Sequence, residues 1–169
     1  MKISDTSDSI DALLDYGRKL LSIALQEGAE QAEVFGMTGR SVDIDLRRDV
    51  VELASESFYR GLGLRAVVAG AVGFSCTSDM SLLQSVAKSA VVSARARGAD
   101  ESWRSLPLPE KVVRPEGIFD QRLERIGPEE CLDNAQSLLS GCRSVKEAEP
   151  VAGGVACVCD SSFVINSQG

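Results

Sequence analysis

The chain has no histidine among its 169 residues. That removes the Ser-His-Asp triad, the Cys-His pair, the imidazole metal ligand and the histidine general base. Aromatic residues make up only 5% and there is one tryptophan, Trp103. Basic residues are also few: 18 Lys and Arg against 25 Asp and Glu give a net charge of −7. Their densest spots, Arg47–Arg48 and Arg95–Arg97, are too small for a phosphate-backbone footprint, so no nucleic-acid partner is expected. Long hydrophobic runs are missing too. The longest, Leu62 to Cys76, is interrupted by Arg65 and by glycines, and is shorter than the roughly 20 apolar residues of a spanning helix. The opening residues, MKISDTSDSID, are acidic and have no apolar signal core, so a cytoplasmic protein without a membrane contact is expected. The five cysteines (Cys76, Cys131, Cys142, Cys157, Cys159) are odd in number and irregularly spaced, which argues against a disulfide framework.

What is present reads as a globular domain, with 44% hydrophobic and 25% charged residues. Ile10, Leu13, Leu14, Leu20, Leu21, Ala24 and Leu25 recur at helical spacing, with Ser7 or Ser9 as cap and Gly28 as stop. Strand-like stretches follow. Ala32 to Met37 is short and apolar. In Ser41 to Arg48, Val42, Ile44 and Leu46 alternate with Asp43, Asp45 and Arg47. Val50 to Val68 is longer and is expected to bend near Gly61 and Gly63. Gly70 turns the chain into Ala71 to Cys76. A second helix, capped among Thr77, Ser78 and Asp79, carries Leu82, Leu83, Val86, Ala87, Ala90, Val91 and Ala94 to Gly98. Residues 99–127, with Pro107, Pro109 and Pro115, read as an extended surface connection anchored by Trp103 or Phe119. A third helix starts at Pro128 and stops at Gly141, and a hairpin turning at Ser161–Ser162 closes the chain. The expected fold is a single α+β domain over 1–169: a two-layer antiparallel sheet covered by amphipathic helices.

Each candidate site has an ordinary structural explanation beside it. Cys157 and Cys159 share one strand face and could join Cys131 and Cys142 around zinc, but the spacing lacks a second close pair, and small core residues explain them better. Cys76, between a strand and a helix start, is the best nucleophile position available, although no histidine can serve it as base. Asp43 and Asp45, with Asp49 and Glu52 nearby, could hold a cation, yet the alternation makes them the wet face of a sheet. Gly61 and Gly63 clear one face of a strand for a close approach, and Arg60 and Arg65 flank that strip.

An ordered series of segments carries a resemblance. GAEQAEVF (Gly28–Phe35) is followed by VELASES (Val51–Ser57) and RGLGLRAVVAGAVGFSCTSD (Arg60–Asp79). An alanine-rich helix then ends in ARARG (Ala94–Gly98), and VINSQG (Val164–Gly169) closes the chain. In this order they resemble the N-terminal domain of the TldD/PmbA family, also called the modulator-of-gyrase family, of metallopeptidases. The resemblance implies a domain of a larger zinc-dependent peptidase, or of its metal-free partner subunit. It would help frame a peptide-binding cavity and a homo- or heterodimer, act with unfolded-protein or peptide substrates, and be inactive alone. It also implies that zinc belongs to a C-terminal domain absent from these residues, so no cofactor and no catalytic or metal-binding residue is expected in this chain. Arg60, Gly61, Gly63 and Arg65 match the family's RGLGxR and Asn166, Ser167 and Gly169 its NSxG, as interdomain or peptide-contact positions. Two alternatives stand beside this reading: a non-catalytic protein-interaction module, and a small cysteine enzyme using Cys76.

Overall fold

A computed structural model describes residues 6–111, 113, 115–147 and 149–169, with side chains at 6–9 left out. Helix α1 spans Thr6–Gln26, β1 Gln31–Arg47, β2 Val50–Val68, β3 Ala71–Thr77, α2 Leu83–Arg97, α3 Pro128–Ser144 and β4 Ala152–Asn166. The strands form one antiparallel sheet in the order β3-β2-β1-β4, so the expected α+β fold is observed. By internal contacts the chain forms two compact units. One holds residues up to Thr38, Arg60–Val113 and Ser161–Gly169; the other holds Gly39–Tyr59 and Arg114–Asp160.

In the first unit, alternation sorts the strands. Ala32 and Val34 of β1 and Leu62, Leu64 and Ala66 of β2 turn inward, against Leu13, Leu20 and Ala24 of α1 and Val86, Ala87, Ala90 and Val91 of α2. β3 pairs with the end of β2 through a tight turn, with Val68 opposite Ala71 and Leu62 opposite Thr77. Ala69 and Gly70 in that turn have φ of +49° and +74°, as the Gly70 turn predicts. Helix α1 stops before Gly28, whose φ is +100°. Ser7 and Ser9 lie within α1, and their capping side chains are outside the described residues.

In the second unit, Val42, Ile44 and Leu46 of β1 pack on Cys131, Ala135 and Leu139 of α3. Pro128 opens α3, and the Gly127 N–H donates to Glu130 at 3.2 Å. Arg40 holds the approach to this helix: its Nη1 donates to the carbonyl of Ile126 at 2.9 Å and its Nε to Glu56 at 2.6 Å.

Several local expectations differ from the structure. β1 is one strand rather than two. Its glycines leave room for rings: a Cβ at Gly36 would overlap Phe163, and one at Gly39 would lie 2.7 Å from the Tyr59 ring. β2 runs unbroken through Gly61 and Gly63. The closing hairpin is a single strand, β4, whose alternate burial continues through Ser161 and Ser162. The third helix passes Gly141 to Ser144. In the connection after α2, Phe119 is exposed and is no anchor, while Trp103 is half-buried. Leu106, not singled out in the sequence, is the buried residue there, and its N–H donates to Gln31 Oε1 at 2.9 Å.

Candidate functional site

Inward residues of β2 alternate with outward ones, so Gly63 and Arg65 face away from α1 and α2. There they meet Glu33 and Phe35 of β1 and Phe74, Ser75 and Cys76 of β3 around an open groove of about 500 Å³. Three adjacent strands thus contribute one face. Gly63 has nothing within 4 Å of the place a Cβ would take, which leaves the floor low. Phe35 and Phe74 stand exposed on β1 and β3. Arg65 donates from Nη2 to Glu33, an ion pair partly withdrawn from water. Its Nε is buried and has no hydrogen-bond partner among the described residues. The groove therefore joins apolar rings, an ion pair and an exposed thiol, a combination suited to holding an extended peptide by its side chains.

The expected site residues separate into three groups. Gly63 and Arg65 line the groove. Arg60 is exposed on β2, and beside it Gly61 has the Thr77 carbonyl 3.3 Å from its would-be Cβ. Asn166, Ser167 and Gly169 tie the chain end into the first unit. Ser167 N–H donates to the Ala32 carbonyl at 2.8 Å, and Ser167 Oγ accepts from Ala32 N–H at 3.0 Å. Asn166 Nδ2 donates to the Pro107 carbonyl at 3.0 Å and its Oδ1 accepts from Gln168 N–H at 2.8 Å; Gly169 N–H reaches the Asn166 carbonyl at 3.5 Å. The motif NSQG thus extends the β1–β4 pairing with side-chain bonds and fastens the connection after α2.

Gly63 receives no close approach, and Gly61 meets the Thr77 backbone carbonyl 3.3 Å from its would-be Cβ but no helix, because both face away from α1 and α2. That role falls to Gly73 on β3. A Cβ there would overlap the backbone of α2 at Ala90 O and Ala94 N. The sequence signal was a glycine inside an otherwise apolar strand, without the identity of the facing helix.

The cysteines do not gather into a metal site. Among the described residues no group of three or more Cys, Asp or Glu is placed to hold a metal ion, so the four-thiolate arrangement does not fit. Cys131 is buried on α3, and burial followed by the neighbouring Cys157 raises its thiol pKa. Burial and Cys157 do the same to Cys159. Cys76 is exposed in β3, before the turn that precedes α2 rather than at a helix N-terminus. Asp43 and Asp45 lie on the outward side of β1, as the alternation predicts.

Three strands in a β-β-β meander under α1 and α2, with a fourth strand beside β1 and a third helix packed on β1 in the second unit, define the class: a two-layer α+β domain. Comparison with known proteins shows where this fold and part of this sequence recur. Residues 32–94 match the family model of PmbA/TldA metallopeptidase domain 1. The same fold occurs in TldE from Thermococcus kodakarensis, with a TM-score of 0.80 at 18% identity over 91% of this chain and 35% of that one. It occurs in a protein described as a candidate modulator of DNA gyrase from Bacteroides thetaiotaomicron, at TM-score 0.75 and 21% identity over 92% of this chain and 36% of the other. A counterpart so described from Thermotoga maritima gives 0.74 at 12% identity, over 92% and 35%. Residues 32–94 are thus similar to the first domain of that family, and most of the chain shares the fold of these solved structures. The chain spans about a third of the length of these solved structures. No curated protein matches it by sequence.

Proposed function

We propose that this chain serves as the N-terminal domain of a larger TldD/PmbA-type peptidase or of its partner subunit, where it helps frame a peptide-binding cavity and a dimer. The match of residues 32–94 to domain 1 of that family is the observation that carries the reading. The groove between Phe35 and Phe74, with the Arg65–Glu33 pair at its side, supports it as a surface on which an unfolded segment could lie. Zinc, in a metal-bearing parent, would be held outside residues 1–169, since the chain has no histidine and its described cysteines and carboxylates are not clustered. No catalytic step is assigned to residues of this chain.

The test uses the purified 169-residue chain with fluorescently labelled unstructured peptides and added zinc. Weak binding without cleavage is expected, with the affinity reduced several-fold by Phe74→Ala. Reproducible, chelator-sensitive cleavage would overturn the claim that catalysis lies elsewhere. Binding unaffected by Phe74→Ala would remove the groove from the reading.

A further inference from the structure

Gly63 lies on the middle strand of the three that form the groove, and the space above it is empty. The register sets Cys76 directly opposite Gly63 and Phe74 opposite Arg65, so Phe74 is the diagonal neighbour of Gly63 on β3. Phe35 closes the other side from β1. A diagonal neighbour is within reach of an aromatic side chain. Yet neither ring folds over the glycine, since nothing lies within 4 Å of the place its Cβ would take. Both rings stand in water instead, Phe35 45% and Phe74 60% exposed. A glycine in a sheet is commonly covered by an aromatic ring, and this one is bare between two of them. The two charged side chains of the lining, Glu33 and Arg65, pair with each other. The groove is therefore neutral and complements an uncharged side chain rather than a lysine or a glutamate. One donor is left over. Arg65 Nε is buried with no acceptor among the described residues, while its side chain as a whole is 34% exposed. A buried donor without an acceptor is costly, and a carbonyl brought alongside relieves that cost.

We infer that the depression over Gly63 takes one aromatic side chain of an unfolded segment, with a main-chain carbonyl of that segment accepting from Arg65. The inference deepens the peptide-binding part of the proposed function and rests on it. β1 and β3 run about 10 Å apart, one on each side of β2. A ring seated over Gly63 thus stands about 5 Å from each flanking strand. That is within the range at which aromatic rings attract one another, offset or edge to face. An alanine in the same place leaves the depression empty and both phenylalanines in water. A glutamate there gives up its hydration without gaining a partner, because Arg65 is already paired with Glu33.

Fluorescence anisotropy tests this on the full chain, with short labelled peptides of Gly, Ser and Thr that carry Phe, Ala or Glu at one central position. The Phe peptide should bind about tenfold more tightly than the Ala peptide, and the Glu peptide no better than the Ala peptide. Gly63→Val fills the depression from below. Its side chain enters open space on a strand, where a β-branched residue is favoured, so the variant should stay folded, which circular dichroism checks. In that variant the advantage of Phe over Ala should shrink to about twofold or less. Saturating Phe peptide should also slow the labelling of Cys76 by a thiol reagent, and the Ala peptide at the same concentration should do so far less. Peptides that bind without a preference for Phe overturn the inference, as does a preference that survives Gly63→Val or leaves Cys76 unprotected; each of these leaves peptide binding by the domain in place. Failure of every peptide to bind overturns the peptide-binding reading together with the inference.

Discussion

Replacing Gly73 with alanine adds one methyl group at the seam between β3 and α2. The neighbours it would strike are Ala90 O and Ala94 N, both main-chain atoms of a helix. A flexible side chain could swing away, but a helix backbone can only retreat as a body. To reach normal van der Waals separation α2 must withdraw by about 1 Å, and a gap of that size forfeits a quarter to a half of the dispersion energy along the seam. The residues that lose contact are Leu83, Val86, Ala87, Ala90, Val91 and Ala94, the whole buried face of α2. The cost should therefore sit at or above the upper end of the overpacking range, about 3 kcal/mol. For a chain of this size that lowers the melting temperature by about 6–12 °C. Gly63→Ala on the neighbouring strand is the control. Its methyl group enters open space, and replacing glycine within a strand should stabilise by about 0.5–1 kcal/mol. Urea unfolding followed by the fluorescence of Trp103, which lies in the same compact unit, measures both. Trimming Ala94 to glycine in the Gly73→Ala chain should give no rescue, because the collision is not with its side chain. A Gly73→Ala variant within about 0.5 kcal/mol of wild type, the range of ordinary surface changes, would refute the account of the seam.

Three further outcomes are expected. Ser167→Ala removes the acceptor for the N–H of fully buried Ala32; it should cost about 1–3 kcal/mol and speed amide exchange at Ala32, and unchanged exchange there would count against the closing role of NSQG. Asp79 is held below the ordinary carboxylate range by the hydroxyl and then the backbone N–H of Ser81. A lowered carboxylate contributes stability above its unfolded pKa and loses it as pH falls through the folded one, so Ser81→Ala should be less stable than wild type in neutral buffer and equal to it in strong acid, which urea titrations at the two pH values would show. In labelling by a thiol reagent with peptide mapping, exposed Cys76 should react early. Cys131, 1% exposed and with its thiol pKa raised by burial, should stay unlabelled until the chain unfolds; early labelling of Cys131 would mean that α3 does not pack as described.

Much of the fold could be read from local pattern. The periodicity of α1, the apolar face of α2 and the proline start of α3 are signals within one turn or two, and they appear where expected except at the edges: Leu82 lies in the turn before α2, and it and Leu25 are exposed. The alternation of Val42, Ile44 and Leu46 also appears where expected. The misreadings share a different cause. Ser161–Ser162 has the chemistry of a turn, yet burial alternates straight through it because β1 lies alongside and supplies the pairing. Thr38–Gly39 looked like a break, whereas Gly39 makes room for Tyr59 from another strand. Leu106 is a single apolar residue among prolines, and only its contact with Gln31 distinguishes it from Leu108, which is exposed. The groove was half visible. Arg65 and Gly63 stood out in the sequence, but Glu33, Phe35 and Phe74 come from neighbouring strands, and strand order is a non-local property that spacing along one segment does not contain.

The boundary between the two compact units crosses β1 after Thr38, β2 after Tyr59 and β4 after Asp160, as well as the connection after Val113. Each unit is assembled from pieces that alternate along the chain. Shortening the protein from either end would therefore strip strands from both units, and no single cut would release one of them whole. A gene encoding this domain can be lengthened at its ends or in its turns, but it cannot be shuffled as two cassettes.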